Sequence, residues 1–416
     1  MICVMQLASK RIYKLQKRHF AFIYFVLFVV FCLNVHLKFL DFCEFLMQDR
    51  YILKVLKNYE KSKNNKNYYV LHLAYKDVII YTTTKQKINS NKISINFAAK
   101  NKLDFYDYLK ARFYLPSYKI QEEKQEDEKA LISYFKKQHS DKKMQEFYLA
   151  LFFAKPISNE LRTDVNYYGI AHLLAISGYH LGLIYSILFF TLMYFYKYLQ
   201  KRFFPYRSIH LDLAIVIFIF LFFYFILIGQ VASFFRSFVM AIVAFYFVLK
   251  SIKLLSFSHL FLCFMICISL NPSFLFNIGF FFSCLGVFYI FLFLHHFKFK
   301  SLLNALYFES FVFLAMIIPV LYFFPLISFQ QFLAILITPL FVVFYPLVLF
   351  LHIINCGALF DGYLLKFLAF KMAGDYFHLE FKYFILYLIL SFLAIFNKHL
   401  LIIISIINIL CFIVLL

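Results

Sequence analysis

The chain has 416 residues, 63% of them hydrophobic and 23% aromatic, with a mean hydropathy of +0.77 and a formal net charge of +21. Soluble domains carry roughly 45–50% apolar residues, so the composition excludes an ordinary soluble protein and makes a polytopic membrane protein the default class. The bias toward Phe, Ile, Lys, Asn and Tyr, with no Trp, says nothing about function, whereas the excess positive charge needs a reason.

Lys10, Arg11, Lys14, Lys17 and Arg18 precede an apolar run from Phe20 to Val35. No small-residue cleavage site follows, only "NVHLKFLDF", so residues 1–41 read as an uncleaved transmembrane helix with its basic end inside. Residues 42–120 change character. Within 50–120 there are 15 Lys/Arg against 4 Asp/Glu, a net of +11. "YYVLHLAY", "DVIIYTTT" and "KISINFAA" are short β-rich runs separated by "KSKNNKN" and "KQKINSNK", the pattern of a small barrel or sheet. Residues 121–170 form a linker. It opens on "QEEKQEDEKALISYFKKQHSDKKMQEF", which reads as a charged, solvated helix rich in i,i+4 pairs.

From 171 to 416 apolar runs repeat. They predict helices near 171–196, 210–228, 231–249, 254–270, 274–296, 302–325, 330–354, 383–396 and 399–416, with an interfacial amphipathic helix at 363–374. With the first, that makes about ten. The basic connections "KYLQKRFFPYR" (197–207), "KSIK" (250–253), "FKFK" (297–300) and the Lys366, Lys371, Lys382 region fall at alternate helix ends. Threading from a cytoplasmic N-terminus puts all of them inside and residues 42–170 outside. The eight cysteines lie mostly in or beside apolar runs. Cys263 and Cys267 sit four apart with no His or acid beside them, so they read as packing residues and not as metal ligands.

"HLLAISGYHLGLI" (172–184) opens one of these runs with polar residues and glycines. On a continuous helix at 100° per residue, Ala171, Ala175, Gly178 and Gly182 fall within about 60° of each other, a stripe suited to close helix packing. His172, Ser177 and His180 lie opposite, over about 140°. Polar groups facing lipid are costly, so that face should look into protein or a water-filled cavity, or else its histidines simply bond backbone near the interface. Arg236 lies about 8 Å into the next-but-one helix at 1.5 Å per residue, where it either meets phosphates or snorkels to the headgroups. Ser233 and Ser237 flank it, and Asn277 and Ser283 extend the candidate polar path.

"GIAHLLAISGYHLGLI" (169–184) resembles the signature of the ComEC family, the inner-membrane channel proteins of natural competence. "FYDYLKARFYLPSY" (105–118), "GQVASFFRSFVMA" (229–241), "NPSFLFNIGFFFSCLGV" (271–287) and "PVLYFFPLISFQQFLAILITPL" (319–340) are similar to further family segments, in the family's order. Tyr179 and Leu181 depart from the usual smaller or branched neighbours, and no Gln precedes Ser283. Long family members end in a metallo-β-lactamase-like domain. This sequence has no HxHxDH-type cluster, so the resemblance is carried over for the channel and the outer domain and not for a nuclease, and no metal or other cofactor is expected.

The resemblance implies that single-stranded DNA passes inward across the cytoplasmic membrane, with an OB-like extracytoplasmic domain ahead of the channel. A polyanion calls for an electropositive receiver. Lys76, Lys85, Lys92, Lys100, Lys110 and Arg112, interleaved with tyrosines, fit a stacking-plus-charge surface. No GxxxxGK[ST] loop is present, so a cytoplasmic helicase-like or DNA-binding partner is expected to supply the pull, with a separate DNA receptor on the outer side. The alternatives are a small-molecule or lipid transporter whose basic outer domain binds anionic headgroups, and a membrane enzyme built on His172, Ser177 and His180. The enzyme would want an acid or a metal beside the histidines, and acids are scarce in the apolar runs.

Overall fold

The computed structural model describes residues 2–63, 66–88, 90–123, 130–250, 256–297, 302–372 and 374–415. Parts of the "KSKNNKN", "KSIK" and "FKFK" connections and residues 124–129 of the charged run lie outside the described residues. The helices are α1 Ile2–Met47, α2 Phe105–Leu109, α3 Ala130–Lys137, α4 Lys142–Phe153, α5 Asn159–Tyr167, α6 Ala171–Leu174, α7 Gly178–Phe203 and α8 Ile209–Leu227. They continue with α9 Ala232–Leu249, α10 Phe257–Leu270, α11 Ile278–His296, α12 Leu302–Phe323, α13 Leu333–Ile353, α14 Asp361–Ala369, α15 Phe381–Leu393 and α16 Lys398–Leu415. The strands are β1 Tyr51–Lys63, β2 Lys66–Tyr75, β3 Val78–Thr84, β4 Lys92–Phe97, β5 Arg112–Tyr114, β6 Ser117–Glu122, β7 Leu326–Ser328 and β8 Gly374–Tyr376.

Among the described residues, seven helices are long and apolar enough to cross a membrane, beginning at Ala21 within α1. Three more, α10, α15 and α16, are apolar but shorter in their described parts. A span needs about 20 residues, so among the described residues seven helices and not about ten meet the length. The chain forms two compact units: Met1–Asp127 with Phe261–Phe281, and Glu128–Leu260 with Phe282–Leu416.

In the first unit the strand order is β5-β3-β2-β1-β4-β6. β3 and β5 pair in parallel, while the other neighbours run antiparallel. The two outer strands are joined only through Leu115 and Pro116, whose backbones bond Tyr81 and Ala98. One kinked segment thus links both ends of the sheet and closes it into a small barrel. Alternation fills the interior with Tyr51, Leu53, Leu71, Leu73, Val78, Ile80, Ile93, Ile95 and Phe113. α1 does not stop at residue 41. It runs on to Met47 because Phe42 and Phe45 plug the barrel's core, Phe45 lying 4.9 Å from the Tyr51 ring and 5.2 Å from that of Tyr75.

In the second unit the charged run is not one solvated helix. Asp141 breaks it by capping α4, accepting from Lys143 and Met144 N–H. α4 buries Met144, Phe147, Tyr148, Leu151, Phe152 and Phe153 in the unit's core. Buried Asp164 on α5 bridges Lys143 and Lys371, both at 2.5 Å. Burial alone would raise its carboxyl, but the two ammonium groups outweigh that and hold it below the ordinary carboxylate range.

The threading is corrected at α13. β7 and β8 pair antiparallel, Leu326 opposite Tyr376 and Ser328 opposite Gly374. Residues 326 and 376 therefore lie at the same end of the bundle, and the α13–α14 excursion between them makes no net crossing. Contacts along α13 agree. Tyr179 in the first turn of α7 donates to Thr338 O at 2.9 Å, and Tyr345 lies 5.1 Å from the His180 ring. Phe152, whose carbonyl accepts from Tyr224 near the end of α8, lies 5.4 Å from Tyr345. α13 thus packs across the ends of α7 and α8. Alternation of basic residues misled here because Lys371 is positive for a local reason, its pairing with Asp164. At the opposite end His296 meets Ala394 O at 2.8 Å.

Cysteine labelling tests this topology. We expect reporters at Ser208 and Asn397 on one side of the membrane and a reporter at Asp375 on the other. Ser208 and Asp375 labelling from the same side, with Asn397 opposite, would restore the simple alternating path.

Candidate functional site: a buried arginine and a basic aromatic face

The helix expected from 171 to 196 is broken. α6 ends at Leu174, and Ala175–Ser177 are extended or irregular before α7 begins at Gly178. The cause is a capping box. Ser177 Oγ accepts from Tyr179 N–H at 3.3 Å, and the Ser177 N–H donates to His180 Nδ1 at 3.4 Å. A histidine occupies the position that Glu or Gln usually fills in this motif. Its ring is buried edge-on against Phe341 and Tyr345. His172 sits on α6, with Nδ1 donating to Gly169 O at 3.0 Å. Ala171 and Ala175 therefore do not share a helix with Gly178 and Gly182, and the four-residue stripe does not exist as one face.

The break presents its backbone to α9. Ser233 Oγ donates to Ile176 O at 2.7 Å, and Ser237 Oγ donates to Ser233 O at 2.9 Å. Arg236, 4% exposed, donates from Nε to Ser283 Oγ on α11 and from Nη2 to Ser237 Oγ, both at 2.8 Å, with Nη1 3.4 Å from Met240 Sδ. The groups named here that hold the guanidinium are neutral. Gly178 makes room for them: a Cβ there would stand 2.8 Å from Ser237 Oγ and 3.5 Å from Arg236 Nη2. Gly182 has nothing within 4 Å of such a Cβ. Asn277 belongs to the first unit, where its Oδ1 caps the start of α11 by accepting from Phe280 N–H at 3.0 Å.

The first unit carries a different surface. With Leu71 and Leu73 inside the barrel, His72 points out. The register sets Lys57 opposite His72, His72 opposite Tyr81, and Tyr81 opposite Tyr114, one row across four strands. His72 stands edge-on to Tyr59 at 5.6 Å and to Tyr81 at 4.5 Å. Lys57 and Lys61 lie over the Tyr59 ring at 5.3 and 5.9 Å. The neighbouring row runs Lys54, Ala74, Ile79, Arg112. Sequence reading missed Tyr59 and His72. The strand alternation held the signal, but the facing required the register.

Of the basic residues expected to meet a polyanion, Arg112 lies on this face and is exposed. Lys85 is exposed just beyond β3, and Lys92 begins β4 opposite Lys54. Three are committed elsewhere. Lys76 bridges Asp41 and Glu44 of α1 at 2.7 and 2.8 Å, and those carboxylates hold its ammonium above the ordinary lysine value. Lys100 donates to the carbonyls of Leu46 and Gln48, and Lys110 pairs with Asp107 at 2.8 Å. These three anchor the barrel to α1 or bind their own turn. No group of three or more His, Cys, Asp or Glu with metal-binding geometry occurs among the described residues.

The family described as "Competence protein" matches residues 151–416. No curated protein and no solved structure matches the chain.

The Gly178 contact separates the two glycines experimentally. Gly178→Ala forces a methyl against Ser237 and should cost about 1–3 kcal/mol, read as lower thermal stability of the detergent-purified protein. Gly182→Ala meets open space and should be neutral or stabilising by up to ~1 kcal/mol. Equal effects of the two substitutions would mean that the clasp is not tight.

Proposed function

The chain belongs to the competence protein family, and we propose that it conducts single-stranded DNA across the cytoplasmic membrane during natural transformation. Family membership supports a role in DNA uptake, and the seven long apolar helices fit a multi-pass membrane protein. The observation that carries the finer reading is the arginine clasp. A charged side chain held 4% exposed in an apolar bundle marks a functional position, and a planar guanidinium is suited to engaging phosphate in bidentate fashion.

The barrel face supports the same reading. OB-type barrels bind oligonucleotides on one face of their strands. The closed sheet with a parallel β3–β5 pair, bearing Tyr59, His72, Tyr81 and Tyr114 among lysines, offers rings for bases and cations for phosphates. In this reading the barrel receives the strand and Arg236, with Ser233 and Ser283, lines the membrane path. A receptor outside, and a cytoplasmic helicase-like or DNA-binding protein inside, complete the system.

Two measurements follow. Full-length protein should bind labelled single-stranded oligonucleotide with an affinity that falls steeply with salt. Tyr81→Ala or Tyr114→Ala should weaken binding by about 5- to 150-fold, the ~1–3 kcal/mol of one stacked base. Binding confined to anionic vesicles, with none to oligonucleotide at low salt, would favour a headgroup-binding domain instead. Arg236→Ala should lower transformation frequency at normal membrane abundance, with Arg236→Lys retaining part of it if charge matters more than the fork. Normal transformation by Arg236→Ala would make the residue structural.

A further inference from the structure

A polar chain lies buried at the far end of α13, away from the arginine clasp. His139, in the turn between α3 and α4, sets Nδ1 2.9 Å from Asp361 Oδ2 and Nε2 3.0 Å from His352 Nε2. His352 Nδ1 lies 2.7 Å from Val348 O. The histidines are 3% and 0% exposed. The surroundings are tightly built. Tyr148 stacks on His139 at 4.4 Å and Phe135 on His352 at 4.9 Å. Gln138 donates to His352 O and accepts from Gly357 N–H, both at 3.0 Å. A Cβ on Gly357 would meet Gln138 Oε1 at 2.5 Å and the His352 ring at 2.8 Å, so only glycine lets the two turns close this far.

The protons in this chain can be counted. Val348 O only accepts, so His352 Nδ1 carries a hydrogen. The Nε2···Nε2 contact needs one hydrogen between two nitrogens, and the His139–Asp361 contact needs one between nitrogen and carboxylate. That makes three. Two neutral histidines and an ionised carboxylate supply two. Whether the third sits on Asp361, on His139 or on His352, the cluster binds one extra proton and becomes net neutral, which burial favours.

We propose that His139, His352 and Asp361 form a one-proton latch fastening the α3–α4 turn to the α13–α14 turn, closed when the proton is bound and released when it leaves. Burial pushes the Asp361 carboxyl up against the opposing pull of His139, in keeping with a proton retained in the folded state. The other titratable groups facing the chain are Asp141 at the start of α4, Tyr148 on α4 and Tyr134 on α3, whose hydroxyl donates to Ile353 O. Asp141 adds negative charge and favours the proton further. Above the ordinary histidine range the closed state binds one proton more than the open one, so closure is strongest near neutral pH and is lost as pH rises through the folded cluster's titration.

Hydrogen exchange on the full-length protein in nanodiscs tests this, with protection corrected for intrinsic rates. From about pH 6.5, the ordinary histidine value, up to about pH 9, protection of segments 136–141 and 352–358 should fall. The limiting slope for one proton is about tenfold per pH unit, while segments elsewhere in α7 and α8 should hold. Asp361→Asn keeps a donor for His139 Nδ1 with both histidines neutral, so its protection should be independent of pH. Flat protection in the wild-type protein, or an equal pH dependence in Asp361→Asn, would overturn the latch. If Asp361→Asn fails to fold, the wild-type profile decides alone.

Discussion

Inside an apolar bundle every polar group has to find a partner within the protein, and the arrangement around Arg236 follows from that one constraint. Helix continuity is given up at Ala175–Ser177. The carbonyl exposed at Ile176 is taken by Ser233, and the amide exposed at Ser177 is taken by His180. The same turn of α9 that supplies Ser233 supplies Ser237 and Arg236, and α11 supplies Ser283. Gly178 is the spacer that lets these parts interlock. The histidine- and glycine-rich stretch and the serine–arginine stretch are thus two halves of one contact. A cation is fixed there between α9 and α11.

The barrel solves the opposite problem. Its interior is satisfied by apolar packing with Phe42 and Phe45 of α1 inserted from one end. Lysines whose number suggested a diffuse basic coat are partly used up in holding it there. What remains on the strands is a compact face in which Tyr59, His72 and Tyr81 each touch another ring, with Lys57 over Tyr59. In the proposed reading such a face would hold flexible single strands without reading their sequence, because every base offers a π surface.

The sequence made the class of the molecule, the β-rich segment and the importance of 169–184 and 229–241 legible, since these depend on hydropathy, alternation and local polar anomalies. Three things were not. The break before Gly178 is a competition between helix propagation and a local cap, and a wheel drawn through it assumes the outcome. The return of α13–α14 is decided by three-residue strands at 326 and 374, too short for any periodicity to reveal. The buried face of α4 was masked by its charges, because Lys143 and Asp141 serve ion pairing and capping and not solvation. The first and third share an origin: polar residues expected to face water or a cavity were instead satisfying a neighbour.

The central claim, that a DNA strand passes the arginine clasp, is tested most directly by crosslinking DNA in transit. A photoreactive benzophenone side chain replaces Met240, whose sulfur touches the guanidinium. In a control it replaces Phe195, an exposed residue on α7. Labelled transforming DNA is then supplied to competent cells and the sample irradiated. Single-stranded DNA should become joined to the protein at position 240 and not at 195. Crosslinks absent at 240 while the variant still transforms would contradict it.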